Sequence, residues 1–143
     1  MRQTSFLFLV TLLGVGLVAS LLTDAAARDK KKADRVFEMR TYTTHPGRLD
    51  ALHARFRDHT NKIFVKHGME LVGYWTPTDE ETSSTTLVYI LAYPSMEARQ
   101  ASWKAFVNDP DWIKAFAESK ADGPIVMKVE NRFMAPTDYS PIK

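Results

Sequence analysis

Arg99 and Trp103 stand four residues apart in a segment with helical apolar spacing, so a guanidinium and an indole share one face there. Such a pair has three uses: the cation stacks on the ring, pairs with a buried carboxylate, or offers its charge to a bound ligand. His67 falls on the apolar stripe of an earlier helical segment, one residue before Gly68. Its imidazole either faces an internal pocket as ligand, acid or base, or hydrogen-bonds carbonyls at the helix end. Glu38, Arg40 and Tyr42 alternate along a strand and so share a face. If the last strand lies beside it, Lys128, Glu130 and Arg132 supply opposite charges for cross-strand pairs worth roughly 0.2–1 kcal/mol. A polar row lining a pocket would instead bind an anionic or polar ligand. Trp75, Trp103 and Trp112 are core or interface anchors, and a pocket lined by them suits a flat aromatic ligand. The ligand-pocket candidates are therefore Arg40, Tyr42, His67, Trp75, Arg99 and Trp103.

Several chemistries are excluded or unsupported. The chain contains no cysteine, which removes disulfides, thiolate catalysis and Cys-ligated zinc. His53, His59 and His67 are spaced too irregularly on one helix to converge on a metal, so no metal site is predicted. A haem needs a single histidine; no cofactor is predicted, with haem left open. G-x-S-x-G, P-loop and dinucleotide-binding patterns are all missing from the sequence.

The elements that must position these residues change period in an orderly way. Val36–Thr43 alternates and reads as a strand, closed by His45-Pro46-Gly47. Arg48–His67 places Leu49, Leu52, Phe56, Ile63 and His67 on one helical stripe, and Gly68 stops it. Met69–Thr76 is a second strand and Thr86–Tyr93 a third, whose two faces are both apolar. Ser95 caps a helix over Met96–Val107, and Asp109-Pro110 starts a short helix after it. Ile125–Met134 is the last strand, followed by a loose tail. This βαββαβ order predicts an α+β, ferredoxin-like domain: a four-stranded antiparallel sheet with helices on one face. The uncovered apolar face predicts a homodimer.

Charge and the N-terminus set the surroundings. Of 143 residues, 45% are hydrophobic, as expected for one globular domain. The net charge of +2 is concentrated in Arg28–Arg35; the remainder, from Val36 on, carries 13 basic and 14 acidic residues and offers no nucleic-acid face. Arg2 precedes a 17-residue uncharged run, Phe6–Leu22, and then Ala25-Ala26-Ala27. These features predict a signal peptide over 1–27, a charged linker over 28–35, the domain over 36–135 and a tail over 136–143. The mature protein is then secreted or periplasmic; an uncleaved segment would make it membrane-anchored.

The domain resembles the NIPSNAP family, within the dimeric α/β barrels. The resemblance rests on Phe37-Glu38-Met39-Arg40-Thr41-Tyr42, Pro46-Gly47, Lys66-His67-Gly68, Gly73-Tyr74-Trp75, and Arg99 followed by Trp103 and Asp109-Pro110-Asp111-Trp112. It implies ferredoxin-like domains paired sheet to sheet, with an activity that the family leaves undefined. The wider barrel group includes haem-degrading, peroxidase-like and quinone-forming monooxygenases with a pocket between helices and sheet. Two functions are thus expected: an exported module binding a small hydrophobic or aromatic molecule or a protein, or a cofactor-independent or haem-dependent oxidoreductase using His67, Arg99 and Tyr42 or Trp75.

Overall fold

A computed structural model of the protein describes residues 35–143. The expected signal peptide and all of the charged linker but Arg35 lie outside the described residues. The order is β1 (Val36–Thr44), α1 (Leu49–Arg55), a π-helical turn (Phe56–Thr60), α2 (Asn61–Lys66), β2 (Glu70–Trp75), β3 (Thr86–Tyr93), α3 (Met96–Val107), α4 (Pro110–Glu118) and β4 (Val126–Met134). The strands form one antiparallel sheet in the order β2-β3-β1-β4. This is the expected ferredoxin-like α+β plan. Among the described residues no helix is long and apolar enough to cross a membrane.

The local stops act as their residue types dictate. Ser95 caps α3 by accepting from the Ala98 amide at 3.2 Å, and Asp109 caps α4 by accepting from the Asp111 amide at 2.8 Å, with Pro110 at the first helical position. Gly68, at φ +75°, takes the left-handed conformation that ends α2. The helices pack on the face of the sheet that carries Leu87, Tyr89, Leu91 and Tyr93, all buried. The centre of this core is aromatic: Tyr89 meets Phe56 edge-on at 5.1 Å and stacks with Tyr74 at 5.6 Å, and Phe64 meets Phe106 at 4.7 Å.

Two sequence expectations are corrected. Lys128, Glu130 and Arg132 stand opposite Thr43, Thr41 and Met39, so they project to the other face from Glu38, Arg40 and Tyr42, whose neighbours are Phe133, Asn131 and Val129. Lys128 bonds Glu130 of its own strand instead, at 3.0 Å. The difference is one residue of register, which moves a whole set of side chains across the sheet. The tail is not loose: Pro136, Ser140 and Ile142 line a depression with Phe37, Val72 and Ile90 on the helix-free face, and the Lys143 carbonyl accepts from Arg35.

Candidate functional site

Glu38 is wholly buried, at 0% exposure, and its neighbours explain how a carboxylate tolerates that position. Its Oε1 accepts from Arg40 Nη1 at 2.7 Å, Arg99 Nη2 at 2.7 Å and Asn131 Nδ2 at 3.3 Å. Its Oε2 accepts from Arg99 Nε at 2.9 Å, Trp103 Nε1 at 3.0 Å and the Tyr93 hydroxyl at 3.3 Å. Burial alone would raise this carboxyl, but the hydrogen bonds and charges of Arg99 and Arg40 prevail and hold its pKa at about 2. Arg40 and Arg99 also lie over the Trp103 ring, at 4.4 and 5.3 Å from its centroid. Every lone pair of the carboxylate is engaged, so the cluster fixes β1, β3, β4 and α3 to one another and has no acceptor left for a ligand.

Beside this cluster a cavity of about 320 Å³ opens between the helices and the sheet. The sheet contributes Tyr42, Val126 and Val129; α3 contributes Trp103 and Phe106, and α4 contributes Trp112 and Phe116. The remaining wall comes from the π-helical turn and its flanks, with Arg55, Phe56, Thr60 and Phe64. A π-turn inserts one extra residue into a helical repeat, a departure found mostly where a helix serves a site. Here the Thr60 hydroxyl closes it by donating to the Arg55 carbonyl at 3.1 Å. Arg55, the last residue of α1, and Phe56 and Thr60 of the turn are all buried. Arg55 is only 5% exposed, with its guanidinium 5.6 Å from the Trp112 ring and 5.3 Å from the Phe116 ring. It donates to the Ser119 hydroxyl at 3.3 Å, while its Nε has no partner. Among the described residues no carboxylate pairs with it. Burial therefore lowers the pKa of this guanidinium, against a smaller opposing pull from Tyr42 and Tyr89.

The NIPSNAP family model matches residues 37–141, which include all of the sheet but Val36 and every wall of this cavity. The chain belongs to the NIPSNAP family. A NIPSNAP family protein of unknown function from Agrobacterium tumefaciens shares 28% identity at a TM-score of 0.66, over 78% of this chain and 96% of that one. An uncharacterized NIPSNAP-like domain protein from Burkholderia xenovorans shares 20% at a TM-score of 0.66, over 76% and 90%. SnoaB, a cofactor-independent oxygenase from Streptomyces nogalater, shares 15% at a TM-score of 0.50, over 76% and 99%, a likeness of fold. No curated protein matches the chain.

Within this NIPSNAP domain the residues singled out in the sequence fall into separate places. Tyr42 and Trp103 line the cavity, and Arg40 lies against both, its Nη2 donating to the Tyr42 hydroxyl at 3.4 Å. Arg99 uses both of the structural options open to it, stacking on Trp103 and forking onto Glu38. His67 takes neither of its expected places: its Nε2 lies 2.6 Å from the Asp109 carboxylate and ties the end of α2 to the cap of α4. Lys66 bonds the same carboxylate at 2.8 Å, and these two partners hold the Asp109 carboxyl well below the usual range. Trp75, 52% exposed, borders a separate surface depression of about 370 Å³ with His53 and Arg57. Its indole lies over Gly73, where a Cβ would come within 2.6 Å of the ring. Among the described residues no three potential metal-binding side chains converge. Arg55 was not among the sequence candidates. Its one legible signal is its place three residues after Leu52 and one before Phe56, at the edge of the apolar stripe.

Proposed function

We propose that this NIPSNAP domain is a binding module for a small hydrophobic or aromatic molecule, held in the cavity between the helices and the sheet. The observation that carries this reading is the aromatic wall formed by Tyr42, Phe56, Trp103, Phe106, Trp112 and Phe116. The volume falls within the range of small-molecule sites, roughly 300–1,000 Å³. Flat rings suit such walls through offset and edge-on contacts. At the cavity's mouth Val107, Phe116 and Val129 are exposed apolar side chains that a ligand would cover. Export through the Phe6–Leu22 segment and action as a homodimer belong to the same reading. The dimer is supported by Val72, Val88 and Ile90, which stay partly exposed on the helix-free face even with the tail packed against it.

An oxidoreductase would need a reacting set within one pocket. Of the residues offered for it, His67 and Arg99 are engaged by Asp109 and Glu38, Trp75 borders a different depression, and Tyr42 alone lines the cavity. Binding is therefore favoured over turnover. The test is a panel of mono- and bicyclic aromatic compounds against the protein, read by melting temperature and by the emission of Trp103 and Trp112. A ligand at a hundredfold excess over Kd adds about 2.7 kcal/mol of stability and displaces the melting curve accordingly. A panel in which nothing shifts the melt or changes the emission overturns the reading.

A further inference from the structure

Resting on that reading of the cavity, the inference concerns the chemical class of its ligand. A guanidinium has five N–H donors in one plane, and burial without partners is costly for each of them. Glu38 shows how this fold treats a buried charge, with donors around both oxygens. Arg55 receives no such treatment. Its hydrogen bond to Ser119 is long, its Nε is unpartnered, and the flanking rings of Trp112 and Phe116 meet the cation's charge without accepting its in-plane N–H groups. The C-terminal end of α4, reached through Ser119, supplies only partial negative charge.

The electrostatics around the cavity point the same way. Arg40 and Arg99 share the single carboxylate of Glu38 and leave one positive charge over, and Arg55 adds a second. An anion entering the cavity meets a site positive in sum, with the planar guanidinium of Arg55, which pairs with no carboxylate among the described residues, on its wall. Forked recognition of this kind fits a carboxylate in both charge and shape.

We propose that the cavity takes a flat aromatic monocarboxylate, its acid group seated on Arg55 and its ring against Trp112 and Trp103. Arg55 is then the residue that selects an acid over a neutral molecule of the same shape, because the neutral molecule leaves the buried fork unpaired. The experiment titrates the full chain with 2-naphthoate and with its neutral isostere 2-naphthamide, following tryptophan emission and heat of binding. Arg55→Met and Arg55→Lys are titrated alongside, with melting curves confirming that each is folded. The wild type is expected to bind the acid at least about tenfold more tightly than the amide, as befits a charge-assisted hydrogen bond. Arg55→Met is expected to bind the two equally, and Arg55→Lys to keep part of the preference. Equal binding by the wild type, or a preference that survives in Arg55→Met, overturns the assignment of Arg55 while leaving the cavity a ligand site. Failure of both compounds to bind the wild type overturns this inference, and the cavity reading falls with it only if the wider aromatic panel also fails to bind.

Discussion

Glu38 and Arg55 are both ionisable, both nearly removed from solvent, and both within reach of the Trp-rich helical layer, yet their surroundings are opposite. Around Glu38 the chain has placed two arginines, a tryptophan, a tyrosine and an asparagine, drawn from β1, β3, α3 and β4. Around Arg55 it has placed aromatic rings and one hydroxyl. A buried charge with every hydrogen bond made is part of the architecture, since moving anything around it breaks several contacts at once. A buried charge without a counterion keeps its capacity to interact. One region holds the fold together, and the other is where the proposed ligand binds.

The most severe way to break this comparison is to remove the charge that the architecture depends on. Glu38→Gln strands Arg40 and Arg99 with no buried carboxylate between them, and the expected loss is about 3–5 kcal/mol in urea unfolding. A loss below about 1 kcal/mol would mean that the cluster is not what joins α3 to the sheet. Acid reaches the same carboxylate by a different route. The folded-state pKa of about 2 lies below the ordinary 4.5, so the contribution of Glu38 is complete above the higher value and lost as the pH falls from there toward about 2. That difference corresponds to roughly 3 kcal/mol, to be measured as stability against pH. In Glu38→Gln this part of the acid dependence should vanish, leaving the slope due to Asp109 and other carboxylates.

A smaller cut sharpens the same point. Tyr93→Phe removes one donor to Glu38 and the hydroxyl that accepts from Trp103 Nε1 at 2.8 Å, while the indole retains its bond to the carboxylate. The expected cost is about 1–2 kcal/mol in the same unfolding measurement, as for a hydrogen bond to a charged group. A cost equal to that of Glu38→Gln would show that the hydroxyl, and not the ion pairs, holds the cluster.

The two regions were unequally legible in the sequence. The order of strands and helices could be read because each boundary is marked by a residue with a strong local preference: Pro46-Gly47, Gly68, Ser95 and Asp109-Pro110. That Arg99 would stack or meet a carboxylate was readable from its place before Trp103, but which carboxylate was not. Glu38 lies 61 residues away, and its other neighbours depend on a strand register that periodicity leaves free by one residue. Arg55 was hidden for a different reason. In the regular helix it sits at the edge of the apolar stripe, three residues after Leu52, where a charged side chain reads as solvent-facing, and the π-turn insertion at Phe56–Thr60 that follows it adds Thr60 to the same interior. The same insertion explains why Phe64, absent from the expected stripe, is buried, and why His67 ends beside Asp109. Nothing in local composition announces a π-turn, whose stability comes from the packing it permits.

The mildest substitution decides most about the comparison. Arg55→Met keeps an unbranched stem of similar packing and deletes the guanidinium. It forfeits a 3.3 Å hydrogen bond and the attraction of two rings, and relieves the desolvation of a charge that has no counterion. Those effects oppose each other, so the unliganded variant is expected to unfold within about 1 kcal/mol of the wild type, in either direction. If instead it falls by the 3–5 kcal/mol expected of Glu38→Gln, then Arg55 is as much a part of the architecture as Glu38, and the orphaned Nε is no sign of a ligand. A near-neutral result means that a positive charge is kept in the interior at no benefit to stability, as the proposed ligand site requires.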